Sequence, residues 1–127
     1  MRRSEPLRWS LRRADRDEYE DRTGIVVIQE KRMMMEDFDT EPAAAGTVTE
    51  IAKQLAQAAP KFSAYALARK LVLLDFYGDR LSEEDIPPLL SRISVPLCID
   101  EIWMTRREWV SEDDYEIGFE KIFVRSA

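Results

Sequence analysis

The sequence contains no histidine, so it lacks the side chain that most often serves as a general base near neutral pH. Ser-His-Asp and Cys-His catalysis are therefore excluded, and the commonest zinc ligand is missing. The single cysteine, Cys98, excludes an internal disulfide and gives no sign of an oxidising compartment. With only four glycines in the chain, we do not expect a glycine-rich loop that cradles phosphates.

Long apolar runs are also absent, and no stretch reaches the roughly 18 residues of a membrane-spanning helix. The basic N-terminus lacks the apolar core of a signal peptide, so we expect a cytoplasmic protein. Apolar residues make up 45% of the chain and charged residues 35%, which is typical of a folded globular protein. The length of 127 residues predicts one domain, 1–127, with a core of its own.

The stretch Lys70–Asp79 (KLVLLDFYGD) is a short apolar run that ends in a Gly-Asp turn signal. It predicts a strand buried on both faces near the centre of a sheet. The β-branched run that opens Ile25–Arg32 predicts a second strand. Alternation in Leu7–Arg13 predicts a third, paired with the second as an N-terminal hairpin across a polar connection, Asp15–Asp21. Partial alternation predicts a C-terminal antiparallel hairpin, which is formed by Ile99–Trp109 and Tyr115–Arg125.

A helix is predicted after Asp37–Gly46, a segment with the composition of a linker. Thr47, or Thr49, is expected to cap this helix, because an acid three residues after Thr47 resembles a capping box. Pro60 either ends the helix before a second short one that runs to about Ala68, or kinks a single long helix.

A further helix is predicted within Leu81–Ile93, where acidic residues suit the first turn. Pro87 and Pro88 require it to start near Asp85 or to break there. The order of elements predicts an α/β or α+β fold, with a mixed sheet and two to three helices.

Charge is distributed unevenly along a chain whose net charge is −6. The N-terminal arm, Met1–Arg13, contains five arginines and one glutamate and so carries +4. The segment Glu108–Glu120 contains six acids and no base. This pattern is typical either of a basic arm and a solvated loop or of two partner-binding patches of opposite sign.

The functional hypothesis that follows is a small acidic binding protein that is not an enzyme. It would be an inhibitor, immunity or adaptor protein, similar in size and charge to bacterial toxin-neutralising proteins and phage-encoded inhibitors. The residues predicted to contact a basic surface of a protein partner are Trp109, Glu112, Asp113, Asp114 and Glu116. Alternate carboxylates on a strand lie roughly 6–7 Å apart, close to the phosphate spacing of a nucleic-acid strand, so the segment also suits mimicry of a nucleic acid. No cofactor is expected, direct nucleic-acid binding is not favoured at this charge, and a homodimer fits as well.

An alternative comes from Gln29 and Lys31, which share one face of the predicted strand downstream of Asp15, Asp17 and Asp21. This arrangement resembles the PD-(D/E)XK, or restriction-endonuclease-like, fold. The resemblance implies a metal-dependent nuclease or a catalytically dead relative. In such a protein Asp21 and Gln29 would help to hold Mg²⁺, and Lys31 would stabilise charge on the phosphate. The plainer interpretation is that Gln29 and Lys31 simply face solvent.

Overall fold

The computed structural model describes residues 2–3, 12–13, 18–21, 24–34, 41–65, 67–77 and 86–125. Within these residues seven strands form one sheet, and they are β1 (Arg2–Arg3), β2 (Arg12–Arg13), β3 (Glu18–Asp21), β4 (Gly24–Met34), β5 (Arg69–Tyr77), β6 (Glu101–Trp109) and β7 (Tyr115–Val124). The helices of this part of the chain are α1 (Glu41–Ala58), which continues into a 3-10 segment at Ala59–Ala64, and α2 (Ile86–Leu89), which continues into Leu90–Arg92.

The sheet is mixed, and its strands lie in the order β1-β7-β6-β5-β4-β3-β2. Strands β4, β5 and β6 are parallel, whereas β3 pairs with β4, and β6 with β7, in antiparallel hairpins. The prediction that Leu71–Phe76 lies at the sheet centre is confirmed, since β5 has three strands on each side. The predicted mixed α+β fold and its C-terminal antiparallel hairpin are confirmed as well.

Strand β5 is buried on both faces, which explains its continuous apolar sequence. Val72, Leu74 and Phe76 pack with α1 and α2 in the larger core cluster. Leu71 and Leu73 point to the other face, where they join Val26 and Ile28 of β4. Full burial of a Leu or Val side chain stabilises a fold by roughly 1.5–3 kcal/mol, so this strand is a main source of stability.

Helix α1 begins at Glu41, so the prediction of a linker at 37–46 is wrong for residues 41–46. The first turn tolerates Pro42, and the alanines that follow are the strongest helix formers. The predicted cap at Thr47 or Thr49 is therefore wrong, because both residues lie inside the helix. The Thr49 hydroxyl donates a hydrogen bond to the carbonyl of Ala45, four residues back, at 3.0 Å.

The predicted end of this helix before Pro60 is confirmed. Proline cannot donate the next helical hydrogen bond, and the chain changes to 3-10 geometry from Ala59. Phe62 of this 3-10 segment is fully buried, which anchors the segment against the sheet. Helix α2 starts at Ile86, next to the predicted start at Asp85, with Pro87 and Pro88 in its first turn.

The N-terminal hairpin differs from its prediction in the strands that form it. Glu18–Asp21, predicted as part of a polar connection, forms β3 and pairs with β4. The described part of the predicted strand Leu7–Arg13 is Arg12–Arg13, which pairs with β3 and not with β4. Gly24 opens β4 with φ at +122°, a backbone angle that side chains rarely permit. A strand of sequence EYED has too little alternation to be recognised, and its pairing with β4 is what reveals it.

The two described parts of the basic arm lie at opposite edges of the sheet. Arg2–Arg3 pairs in parallel with β7, with Arg2 opposite Glu116. Arg12–Arg13 pairs with β3 at the other edge. In the described part of the chain, no helix has the length and apolar content needed to cross a membrane.

Candidate functional site

The residues predicted to bind a partner lie at one end of the β6–β7 hairpin. They are Glu112, Asp113, Asp114 and Glu116, together with Trp109, for which the structure describes the backbone. We call Glu108–Glu116, which contains five acids and no base, the acidic tip. The loop at 110–114 is closed by the carbonyl of Asp114, which accepts hydrogen bonds from Val110 N–H at 3.1 Å and Ser111 N–H at 3.3 Å. Glu112 and Asp113 are exposed, and Asp114 is half-buried. The tip is therefore a turn with defined hydrogen bonds that presents carboxylates to solvent.

The strands below the loop place two acids opposite each other. Glu108 of β6 pairs with Glu116 of β7, and paired residues of an antiparallel ladder share one face. Glu116 is also opposite Arg2, because β1 pairs with the other side of β7. One row across three strands is therefore Arg2, Glu116 and Glu108. The sequence showed two charged segments, and the register brings one end of the basic arm beside the acidic tip.

Further from the tip, an acidic residue of the hairpin is paired with a basic one. The guanidinium of Arg106 lies 3.1 Å from the Glu120 carboxylate, and about 40% of each side chain is exposed. Such a solvent-screened pair contributes between zero and about 1 kcal/mol. Of the six acids in Glu108–Glu120, Glu120 therefore has a basic partner from the neighbouring strand. Nearer the tip, the segment Glu108–Glu116 contains no base of its own, and the base that the register places beside it is Arg2 of β1, opposite Glu116.

The predicted apolar anchor, Trp109, is the last residue of β6 and pairs with Tyr115. Its side chain lies outside the described part of the structure. The next residue, Val110, is 56% exposed, which places an apolar side chain at the base of the acidic loop. Val110 was not singled out in the sequence, since one valine in a polar loop carries no pattern.

The residues of the nuclease-like arrangement do not lie together in the structure. Gln29 and Lys31 lie side by side on the face of β4 that also carries Val27 and Met33 of the main core. They are 8% and 9% exposed, so the interpretation that they face solvent is wrong. Asp21 pairs with Gly24, the first residue of β4 and five residues before Gln29, and a five-residue step along a strand is about 16–17 Å. Asp15 and Asp17 lie outside the described residues.

The described residues do not fit the Mg²⁺ site that the resemblance implies. Asp21 and Gln29 are too far apart to share one ion, because oxygen ligands lie only 2.0–2.1 Å from Mg²⁺. Within the ranges that the structure describes, no group of three or more Asp, Glu, Cys or His side chains is placed to hold a metal.

Lys31 is a buried base next to a second lysine. Burial lowers the pKa of its amino group, because the charged form loses solvation. The Lys61 side chain, within hydrogen-bonding reach and of like charge, lowers the pKa of Lys31 further. Lys61 belongs to the 3-10 segment after α1, and nothing in its sequence indicated an effect on the pKa of a residue of β4.

A second cluster of charged residues surrounds Glu101, where the parallel strands β5 and β6 begin. The buried Glu101 carboxylate is 2.9 Å from Arg69 Nε and 3.3 Å from Lys121 Nζ, and it accepts a hydrogen bond from the Trp103 indole at 3.0 Å. Lys121 also lies 5.4 Å from the centre of the Trp103 ring. Because the carboxylate is fully compensated, this cluster is best understood as structural.

Comparisons with protein-family models, curated proteins and solved structures find no match to this chain.

Proposed function

We propose that this is a non-enzymatic binding protein, of inhibitor, immunity or adaptor type, whose acidic tip contacts a basic surface of a protein partner. The observation that carries the proposal is the concentration of five carboxylates at the end of one hairpin, with Glu108 opposite Glu116. Complementary charge of this kind steers association and selects partners.

The pairing of Glu108 with Glu116 favours a binding role for the tip over a turn that is only solvated. Like charges directly opposite each other on a sheet destabilise the pairing. A fold that only needed a turn between β6 and β7 would be more stable with a neutral residue at Glu108. Arg2 lies opposite Glu116 on β1, whereas Glu108 lies on the side of Glu116 away from Arg2, and a cationic partner would offset the repulsion there.

The partner is proposed to be a protein that normally binds nucleic acid. Carboxylates two positions apart on a strand are spaced nearly like successive phosphates. Asp114, the last residue of the loop, and Glu116 of β7 are two positions apart where the chain enters β7. The exposed pair Glu112 and Asp113 extends the charge beyond the strand ends. A site built for phosphates would accept this row of carboxylates.

Apolar contact at the tip is assigned to Trp109 together with Val110. Buried aromatic residues dominate the energy of many interfaces, whereas rim charges mainly set the association rate. Trp109→Ala is expected to weaken binding by roughly 2 kcal/mol, mainly through faster dissociation. Val110→Ala would have a smaller effect in the same direction.

The test begins with capture of the partner from the native host, followed by binding kinetics at two salt concentrations. Asp113→Lys should slow association and reduce its dependence on salt. Glu30→Lys is the matched control, because it makes the same change in net charge at an exposed residue of β4, three strands away from β7. Equal kinetics for wild type and Asp113→Lys at low salt would contradict the proposal.

The second candidate is a metal-dependent nuclease or a catalytically dead relative of one. It is favoured by the adjacent positions of Gln29 and Lys31 on one face of β4. The position of Asp21 opposite Gly24 favours the dead relative over the active enzyme.

A further inference from the structure

Two leucines at one end of the sheet are almost fully exposed. Leu67 is entirely exposed and Leu97 is 86% exposed, and they lie in turns that precede β5 and β6. The turns at 65–68 and 96–99 are each closed by a hydrogen bond from the last N–H to the first carbonyl, at 3.2 and 3.0 Å. Single exposed apolar side chains are common, whereas several at one place indicate a contact surface.

The two turns lead into neighbouring parallel strands. Where β6 begins, the Asp100 N–H donates a hydrogen bond to the Lys70 carbonyl of β5 at 2.9 Å, so both turns lie at the same end of the sheet. Val124 of β7, which is 61% exposed, pairs with Glu101 of β6 and therefore lies at this end as well. The name apolar end is used below for Leu67, Leu97 and Val124.

Basic side chains hold both turns in shape. Arg125 donates hydrogen bonds from Nη2 to the Pro96 carbonyl at 2.9 Å and from Nε to the Ile99 carbonyl at 3.0 Å. Lys70 donates one from Nζ to the Ala68 carbonyl at 2.9 Å. Each leucine is therefore presented by a turn that is ordered before any contact is made, which lowers the cost of binding.

Bases outnumber acids among the described residues where β5 and β6 begin and β7 ends. The bases are Arg69, Lys70, Lys121 and Arg125, and the acids are Asp100 and Glu101. The Glu101 carboxylate is buried and contacts two of these bases, whereas 44% of the Lys121 side chain is exposed. On the far side of β4, β3 ends at Asp21, so the excess of bases lies on the β6–β7 side of the leucines.

The acidic tip at the other end of β6 and β7 has the complementary features. Glu112 and Asp113 are exposed acids, and Val110 beside them is 56% exposed. Strand β6 spans Glu101–Trp109, so the two ends lie roughly 26–27 Å apart, and a molecule cannot place its own tip on its own apolar end. A second copy can do so. This distance exceeds the Debye length of about 8 Å at physiological ionic strength, so local charges govern the contact more than the net charge does.

We propose that the acidic tip of one copy binds the apolar end of a second copy, in a head-to-tail arrangement. Val110 packs against the leucines, and the exposed carboxylates of the tip face the bases beside them. The apolar end is small, so the association is weak and the protein is monomeric at low concentration. The proposal goes beyond the proposed function and does not require it, although a tip that is bound to a second copy cannot also bind another partner.

A head-to-tail contact leaves one unused tip and one unused apolar end in every dimer. The average mass of the full-length protein should therefore keep rising with concentration, whereas a symmetric homodimer would stop at two copies. Sedimentation velocity over a range of concentrations measures this difference. Wild-type protein that stays monomeric at the highest concentration would overturn the proposal.

Single variants test the two sides of the contact. Burial of a leucine is worth at least about tenfold in an equilibrium constant, so Leu97→Ser should raise the dissociation constant by at least about that factor. Leu67→Ser should act in the same direction. Asp113→Lys should also weaken the association, because it reverses an exposed charge of the tip. Glu30→Lys is the matched control, since it makes the same change at an exposed residue of β4, and it should associate as wild type does.

A mixture of Leu97→Ser and Asp113→Lys tests the direction of the contact. The first variant keeps its tip and the second keeps its apolar end, so the mixture should form dimers with one copy of each, while each variant alone stays monomeric. A symmetric interface would give no such rescue. The proposal is overturned if the mixture associates no more than the separate variants, or if Asp113→Lys and Glu30→Lys associate equally. Leu97→Ser should still bind a partner of the tip, so failure of the proposed function is distinguishable from failure of this contact.

Discussion

Glu108 and Glu116 occupy directly opposite positions on β6 and β7, with no base between residues 108 and 116. This pairing of like charges should lower the stability of the free protein by an amount that can be measured. We expect Glu108→Gln to stabilise the free protein by a few tenths of a kcal/mol, up to about 1 kcal/mol, at low salt. The gain should shrink at high salt, because screening removes the same repulsion.

Urea denaturation at two salt concentrations measures this effect. Glu112→Gln is the control, since Glu112 lies in the loop and has no residue opposite it on a strand. A stability change that is the same for both variants would mean that the repulsion is spread over the tip and is not specific to the Glu108–Glu116 pair.

The absence of nuclease activity is the second prediction. We expect no cleavage of single- or double-stranded DNA or RNA in Mg²⁺ or Mn²⁺. Asp21 lies opposite Gly24, far from Gln29 and Lys31, and the net charge of −6 disfavours contact with phosphate backbones. Cleavage by the wild-type protein that is lost in Lys31→Ala would establish the nuclease candidate in place of the binding protein.

The core of α1 provides the third prediction. Leu55 is fully buried against β5, so Leu55→Ala should cost about 2–5 kcal/mol of unfolding free energy. Leu67 precedes β5 in a turn and is entirely exposed. Leu67→Ala is therefore the matched control and should leave the unfolding free energy unchanged. Chemical denaturation of both variants compares the same substitution inside and outside the core.

The pH dependence of stability provides the fourth prediction. Burial and the nearby Lys61 lower the pKa of Lys31 in the folded state, so the unfolded state binds more protons above that lowered pKa. The Lys31 contribution to stability should therefore rise with pH, from the lowered pKa up to the ordinary lysine pKa of about 10.4. Below this window Lys31 is charged in both states, and its full desolvation cost opposes folding.

The measurement is the stability of wild type relative to Lys31→Met across that pH range, in a buffer without phosphate. Lys53→Met serves as reference, because Lys53 is exposed. A flat difference between wild type and Lys31→Met would show that the Lys31 amine has an ordinary pKa in the folded protein.

The sequence was sufficient for the elements that are defined by their own apolar pattern. The run Leu71–Phe76 predicted the central strand because both of its faces are buried, and alternation predicted β6 and β7. Helix α1 was placed too late, since Glu41–Gly46 has the proline and small residues of a linker. Its alanines favour helix, and Ala44 is held by burial in the core.

The candidate site was predictable as a set of residues but not as an arrangement. Composition located the acids of the tip, whereas the opposition of Glu108 and Glu116 depends on strand register. The lowering of the Lys31 pKa by Lys61 relates two residues that are 30 positions apart in the sequence. No local pattern encodes such a relation, because it depends on the tertiary packing that brings Phe62, next to Lys61, into one core with Val27 and Met33 of β4.

The placement of the basic arm has a consequence for solubility. Arg2–Arg3 and Arg12–Arg13 are the outermost strands of the sheet on its two sides. Removing Met1–Arg13 would therefore take away the pairing partners of β7 and of β3 together. Each would then present unpaired backbone N–H and C=O groups, which are templates for pairing between separate copies of a chain. This one deletion would therefore give every molecule two open sheet edges. Two edges per molecule are enough for copies of the chain to join into a linear aggregate.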